Sequence, residues 1–216
     1  MEPKQLKGTT TVGIVCSDGV LLASERKATM GYFIATQEIE KIFKVDEHIG
    51  MTIAGAASDG QKLAQMLATE AKLFRIRNGR PIGVDAATSL LSNIMYQYKM
   101  FPFYSQIIIG GIEVDGKPKL FNLGPWGDTI PEDKYTVTGS GTPMAYAILD
   151  EHYEKKDTNG SVSLATRAIT AAIKRDVASG GSINIVTITK EGFRRHKGLA
   201  PETERPVSRE AEKKRK

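Results

Sequence analysis

The order in which β-patterned and helix-patterned stretches follow one another constrains this chain most. "TTVGIVC" and "VLLASE" are β-rich runs joined by Ser17-Asp18-Gly19, which has tight-turn composition. "KIFKVDEHIGMTIAG" holds two more β-rich runs around the polar turn Asp46-Glu47-His48. A helix is expected over "SDGQKLAQMLATEAKLFRIRNG", capped by Ser58, striped by Leu63, Met66, Leu67 and Phe74, and stopped by Gly79. A second should run from about Asp85 to Met100. Strand patterns return in "SQIIIGGIEV", "KPKLFNLG" and "KYTVTGSG". Gly141 and Pro143 precede a third helix, "MAYAILDEHYEKK", and Ser161 or Ser163 caps a fourth, "LATRAITAAIKRDVA". "SINIVTIT" and "GFRRHKG" close the pattern. Strands and helix pairs therefore alternate in blocks, unlike the strict strand–helix alternation of a parallel doubly wound sheet. An α+β, four-layer αββα sandwich, with two antiparallel sheets between helix pairs, buries both apolar sets.

A chain of 216 residues can bury a substantial core. Its net charge of +5 is unevenly spread: residues 191–216 carry +4 and residues 1–8 carry +1, leaving the body neutral. The basic end therefore reads as a solvated tail, and the body has no basic stripe to engage nucleic acid. No apolar run approaches the roughly 18 residues that span a bilayer, so no membrane association is expected. "MEPKQLKG" lacks the apolar centre of a secretory signal. The single cysteine, Cys16, lies in an apolar strand pattern, reads as a core residue, and fits a reducing cytoplasmic location.

Common catalytic and cofactor patterns are missing. There is no phosphate-binding loop, and Gly139-Ser140-Gly141 continues into Thr142-Pro143-Met144 without completing a dinucleotide fingerprint. His48, His152, His196 and Cys16 lack metal-ligand spacing, so neither a metal nor a cofactor is expected; His48 and His196 read as surface residues. What remains is Gly8-Thr9. A threonine hydroxyl is a weak nucleophile, but a free α-amine on the same residue, with a pKa of about 7.7–8.0, can take its proton. That arrangement requires a cut between Gly8 and Thr9, and Gly8 offers little hindrance to the bent geometry in which the Thr9 hydroxyl attacks the Gly8 carbonyl. Taken alone, the same residues read better as a ragged terminus entering a strand. Thr10 and Thr11 read as ordinary β-branched strand residues.

The segments "GTTTVGIVCSDGVLLASERKATMG", "KIFKVDEHIGMTIAG", "TGSG" and "KRDVASGG", in this order, resemble the β subunits of archaeal-type proteasomes, which are N-terminal-nucleophile hydrolases. The likeness runs from Gly8 to about Gly198. It implies the αββα fold, a propeptide at 1–8 removed autocatalytically and a hydrolase domain at 9–198; the basic stretch 199–216 lies past the likeness and reads from its composition as a flexible tail. Thr9 matches the family's catalytic threonine, Lys41 its catalytic lysine, and Glu25 the acidic residue that holds that lysine. Ser140, Asp176 and Ser179 match the groups that position the terminal amine and a water. Gly55 matches the residue whose N–H stabilises the oxyanion. Singly, Lys41 reads as a solvated residue, Glu25 as a hairpin charge, Asp176 as a helix-end polar group and Gly55 as a strand end.

The resemblance also implies that an unfolded polypeptide is bound as an added strand. Thr29, Gly55 and Ala57 match the backbone-contact positions. Ala28, Ala35, Phe43 and Ile53 match the main specificity pocket, and their small or apolar character favours cleavage after hydrophobic residues. The implied partners are proteasome α subunits and other β subunits in stacked seven-membered rings, with a regulatory ATPase engaged only through the α rings. A non-catalytic ring subunit and a small-molecule amidase are the alternatives.

Overall fold

A computed structural model describes residues 8–30 and 33–196. The expected propeptide (apart from Gly8) and the expected tail lie outside the described residues. The β1 strand (Thr10–Val15) and β2 (Gly19–Glu25) form the anticipated hairpin, with Val15 opposite Val20 and Thr11 opposite Ser24. On its far side β1 pairs with β10 (Tyr135–Gly139), and β2 pairs with β11 (Ile183–Thr189). With β12 (Gly192–Arg195) these make one antiparallel sheet in the order β10-β1-β2-β11-β12. The second sheet has the order β5-β6-β7-β8-β9, from β5 (Ile42–Asp46), β6 (Ile49–Gly55), β7 (Ser105–Ile112), β8 (Pro118–Leu123) and β9 (Thr129–Pro131). A separate hairpin, β3 (Ala28–Met30) with β4 (Phe33–Thr36), stands beside them.

Strand periodicity decides the layers. Side chains alternate across a strand, so Leu21 and Ala23 of β2 face one way and Val20 and Leu22 the other. Leu21 and Ala23, with Val12, Ile14 and Ile185, pack under α3 (Thr142–His152) and α4 (Thr158–Arg175). Val20 and Leu22 meet Ile42, Ile108, Val186 and Ile188 between the two sheets. Beyond the second sheet, Met51, Ile53, Ile107 and Ile109 pack under α1 (Ala57–Asn78) and α2 (Val84–Gln97). Three apolar interlayers separate four layers, and the fold is the αββα sandwich expected. Cys16 is fully buried in the α3–α4 interlayer, where burial pushes its thiol up to about 11.

Several helix ends depart from expectation because tertiary partners choose the cap. The α1 helix begins at Ala57 after an extended Ala56 that makes no side-chain cap, so Ser58 lies within the helix. The α4 helix begins about a turn before the serines expected to cap it. Asp157 accepts from Gly160 N at 2.8 Å, and Asp18 from the β1–β2 turn accepts from Thr158 N at 2.8 Å. Two carboxylates thus satisfy the first turn. Thr142 and Pro143 open α3, where proline's missing N–H costs nothing. The same helix stops at His152 rather than continuing through Lys156, since extended Tyr153 stacks on Tyr135 and donates to Val15 O at 3.1 Å. Gly79 stops α1 as anticipated, with φ 65° and its N–H on Arg75 O. His48 and His196 are half-buried rather than at the surface, hydrogen-bonded to Ile82 O and the Thr187 hydroxyl.

Antiparallel pairing gathers particular residues at one end of the sandwich. The start of β1 lies beside the ends of β2 and β10, and the end of β2 lies beside the start of β11. Across the interlayer, β5 begins and β6 ends at the same end. Thr9, Glu25, Gly139, Lys41 and Gly55 are therefore neighbours through topology alone.

Candidate active site

Thr9 immediately precedes β1, a central strand, and its side chain is almost wholly enclosed. Lys41 reaches it from the other sheet: Lys41 Nζ donates to Thr9 Oγ1 at 3.1 Å and to Lys27 O at 2.7 Å. Its third donor goes to Glu25 Oε1 in a buried ion pair. The Glu25 carboxylate also accepts from three backbone N–H groups: Lys27 at 2.7 Å, Gly180 at 3.1 Å and Thr10 at 3.3 Å. Burial pushes the Glu25 carboxyl above its ordinary value and the Lys41 ammonium below its own; each is opposed by the charge of the other. A lysine so depressed gives up a proton more readily, and a charged one at 3.1 Å favours the ionised form of the Thr9 hydroxyl.

The nitrogen of Thr9 is held by a second chain of groups. Thr9 N donates to Ser140 Oγ at 3.2 Å, and Ser140 Oγ donates to Asp176 Oδ2 at 2.5 Å. Ser179 Oγ donates to the same Asp176 oxygen at 2.6 Å. Asp176 caps the C-terminal end of α4, and the turn after it carries Ser179 and Gly180 back to β2. In the described chain Thr9 remains joined to Gly8, so its nitrogen is an amide. A Cβ on Gly8 would lie 2.0 Å from Ala178 Cβ and 2.4 Å from Ser140 Oγ; only glycine fits there.

Gly55 ends β6 with φ 122°, and a Cβ there would lie 2.3 Å from Tyr104 O. Ile53 N donates to Lys41 O at 3.0 Å. Alternate amides of a strand point to one edge, so the Gly55 N–H projects beyond the start of β5, into the space beside Thr9. Gly55→Ala is expected to cost about 1–3 kcal/mol of stability through the forced backbone conformation and the clash, measured as a lower thermal midpoint of the purified chain.

A small cavity of about 30 Å³ adjoins Thr9. Of the expected substrate contacts, Ala28, Ile53, Gly55 and Ala57 line it. Thr29, Ala35 and Phe43 do not. Thr29 is buried in β3, Ala35 is exposed in β4, and Phe43 packs against the interlayer under α1 and α2. Larger cavities of about 530 and 680 Å³ lie around Lys190–Gly192, at the opposite end of the sandwich from Thr9.

Five participants went unrecognised in the sequence. Ile39 lines the cavity from the irregular segment between β4 and β5, where no periodicity marks it. Lys27 and Gly180 contribute backbone groups, which side-chain identity does not reveal. Thr10 is more than a strand former, since its hydroxyl pairs with Ser179 Oγ at 2.7 Å. Thr11 likewise bonds Thr52 Oγ1 of the other sheet at 2.9 Å and Thr138 Oγ1 at 2.6 Å. An unbroken run of threonines, which puts hydroxyls on both buried faces at the start of β1, was the available signal for both.

The chain resembles known proteins along nearly its whole length. A family described as proteasome subunit matches residues 6–188. A proteasome subunit beta of Methanocella paludicola is 46% identical over 190 residues, covering 88% of this chain and 91% of that protein. The corresponding protein of Methanohalophilus mahii is 47% identical over 193 residues, covering 89% and 91%. That of Methanothermobacter thermautotrophicus is 47% identical over 191 residues, covering 88% and 90%.

Proposed function

The chain belongs to the proteasome β-subunit family, and from that premise we propose that it is a catalytic member, a threonine endopeptidase that hydrolyses unfolded polypeptides. The observation that carries this reading is Lys41 Nζ at 3.1 Å from Thr9 Oγ1 while paired with buried Glu25. A purely structural subunit has no use for a buried lysine–carboxylate pair aimed at one hydroxyl, given how much such a pair costs to desolvate.

Activation begins with Thr9 Oγ1 attacking the Gly8 carbonyl carbon as its proton passes to a neighbouring base. The Gly8–Thr9 C–N bond breaks, the nitrogen takes up a proton, and an ester joins Gly8 to Thr9 Oγ1. Water hydrolyses the ester, releasing residues 1–8 and leaving Thr9 with a free amine. In each later turnover that amine accepts the Oγ1 proton as Oγ1 attacks the substrate carbonyl carbon. The oxyanion lies at the Gly55 N–H. The amine then protonates the departing peptide nitrogen, and water, deprotonated by the same amine, cleaves the acyl ester. Ser140, Asp176 and Ser179 hold the amine and that water.

Substrate is bound as an added strand contacting Thr29, Gly55 and Ala57. The apolar wall formed by Ala28, Ile39 and Ile53 favours cleavage after hydrophobic residues, with Ala35 and Phe43 completing the specificity region in the assembled particle. The assembly is the proteasome core, in which stacked seven-membered rings of α and β subunits enclose the sites in the cytoplasm and confine them to chains that have already been unfolded.

Intact mass measured before and after coexpression with proteasome α subunits tests the reading. Loss of residues 1–8, and an adduct of a threonine-directed electrophile on Thr9, are the expected results. A particle that cleaves peptides at full rate with residues 1–8 still attached overturns it.

A further inference from the structure

Lys27 joins the two halves of the site through three different groups. Its N–H donates to Glu25 Oε2 at 2.7 Å, and its carbonyl accepts from Lys41 Nζ at 2.7 Å. Both contacts use the backbone and would survive any substitution except proline. The side chain does something separate. It runs across Gly180, where a Cβ would come within 2.8 Å of Lys27 Cδ, and its Nζ donates to Val177 O at 2.6 Å. Val177 directly follows Asp176, at the C-terminal end of α4, where a cation meets the unsatisfied carbonyls favourably.

The segment beneath this side chain is the one that orients the Thr9 nitrogen. Asp176 Oδ2 accepts from both Ser140 and Ser179. Its backbone is fixed to β2 at the far end, where Gly180 O accepts from Lys27 N at 3.0 Å and Arg26 N at 3.2 Å. Near Asp176 itself, Val177 is 88% exposed and its side chain contributes no packing to hold the turn. Asp176 Oδ1 accepts from Ala178 N at 3.1 Å, which shapes the turn internally without attaching it to β2. The lysine stem is therefore the tether that reaches from the β2–β3 connection to the Asp176 end.

Resting on the catalytic reading above, we propose that the Lys27 side chain is a positioning residue that straps the 176–180 turn against the nucleophile, so that Asp176 and Ser140 hold the Thr9 amine in line with Oγ1. Bare Gly180 is the groove through which the strap passes. Arginine, with a planar fork that reaches a carbonyl at similar length, can replace the lysine; methionine keeps the stem and loses the donor.

The test uses processed particles assembled with α subunits and a fluorogenic peptide with a hydrophobic residue before the scissile bond. Lys27→Met is expected to lower kcat about tenfold to a hundredfold, as small misplacements of a catalytic group do. KM should stay within about twofold of the parent value, because the lost interaction acts on the reacting groups. Lys27→Arg should restore most of kcat. Lys27→Met with the parent kcat, Lys27→Arg as impaired as Lys27→Met, or a loss confined to KM each overturns the proposal. An inactive parent particle would instead overturn the catalytic assignment, so the two failures are distinguishable.

Discussion

Thr9→Ala abolishes peptide hydrolysis in assembled particles and leaves the chain at its full, uncleaved mass. The loss should be on the order of 10⁶-fold in kcat, the scale seen when a nucleophilic hydroxyl is removed from a hydrolase whose groups act as a unit. Both effects would come from one atom. Thr9 Oγ1 is the group 3.1 Å from Lys41 Nζ, and in the proposed mechanism it attacks first the Gly8 carbonyl and then substrate. Assembly should survive, because the residue lies at a strand end and makes no core contact that a methyl group cannot replace. Serine at this position keeps hydroxyl and amine, and should recover measurable cleavage and self-processing. It loses the γ-methyl that restricts the side-chain rotamer, so its rate should remain below that of threonine. Peptidase assays on particles of each variant, with intact mass on the same samples, check the result. Full activity in Thr9→Ala would remove the assignment altogether.

The second large effect concerns the buried pair. Lys41→Ala leaves the fully buried Glu25 carboxylate with backbone donors alone, and Glu25→Ala leaves Lys41 enclosed with no counter-charge. Breaking a buried pair from one side costs about 3–5 kcal/mol, so each single variant should show a markedly lower unfolding midpoint as well as loss of activity. Replacing both partners by apolar residues of similar volume, Lys41→Met with Glu25→Leu, should recover part of the stability, because the uncompensated charge is gone while the backbone N–H groups that Glu25 accepted from lose that acceptor. Activity should not return. That separation of stability from turnover identifies a pair kept for chemistry. Thermal unfolding and peptidase rates measured on the three variants test it, and a double variant that is active, or single variants as stable as the parent, would contradict it.

The layers and the principal residues of the site were legible in the sequence for different reasons. The continuous apolar run at 20–23 in β2, with Leu21 and Ala23 on one face and Val20 and Leu22 on the other, dictates a sheet buried on both sides, and the paired helices supply its cover. Thr9, Glu25 and Lys41 were legible as a set only through family resemblance, since each is unremarkable by itself. Their proximity is a product of antiparallel pairing, and no local spacing encodes it. Helix starts were less legible. The start of α4 is fixed by Asp18, 140 positions away, which accepts from the Thr158 N–H, and a sequence window around Ser161 does not contain that residue. Lys27 and Gly180 act through peptide groups, whose direction depends on strand register. Ile39 sits in an irregular segment where hydrophobicity has no period to reinforce it.

Thr9 leads into one sheet and Lys41 into the other, so in the proposed mechanism the spacing of the two plates is a working dimension of the site. Ile42, Leu22, Ile108 and Val186 set that spacing as shims set a mechanical gap. Catalytic groups tolerate about 0.5 Å of misplacement, and a close-packed core passes the change of even one methylene on to its neighbours. A methylene lost from the filling between the plates would thus register in turnover as well as in stability. The sandwich's interior is held to the tolerance of the chemistry at its edge.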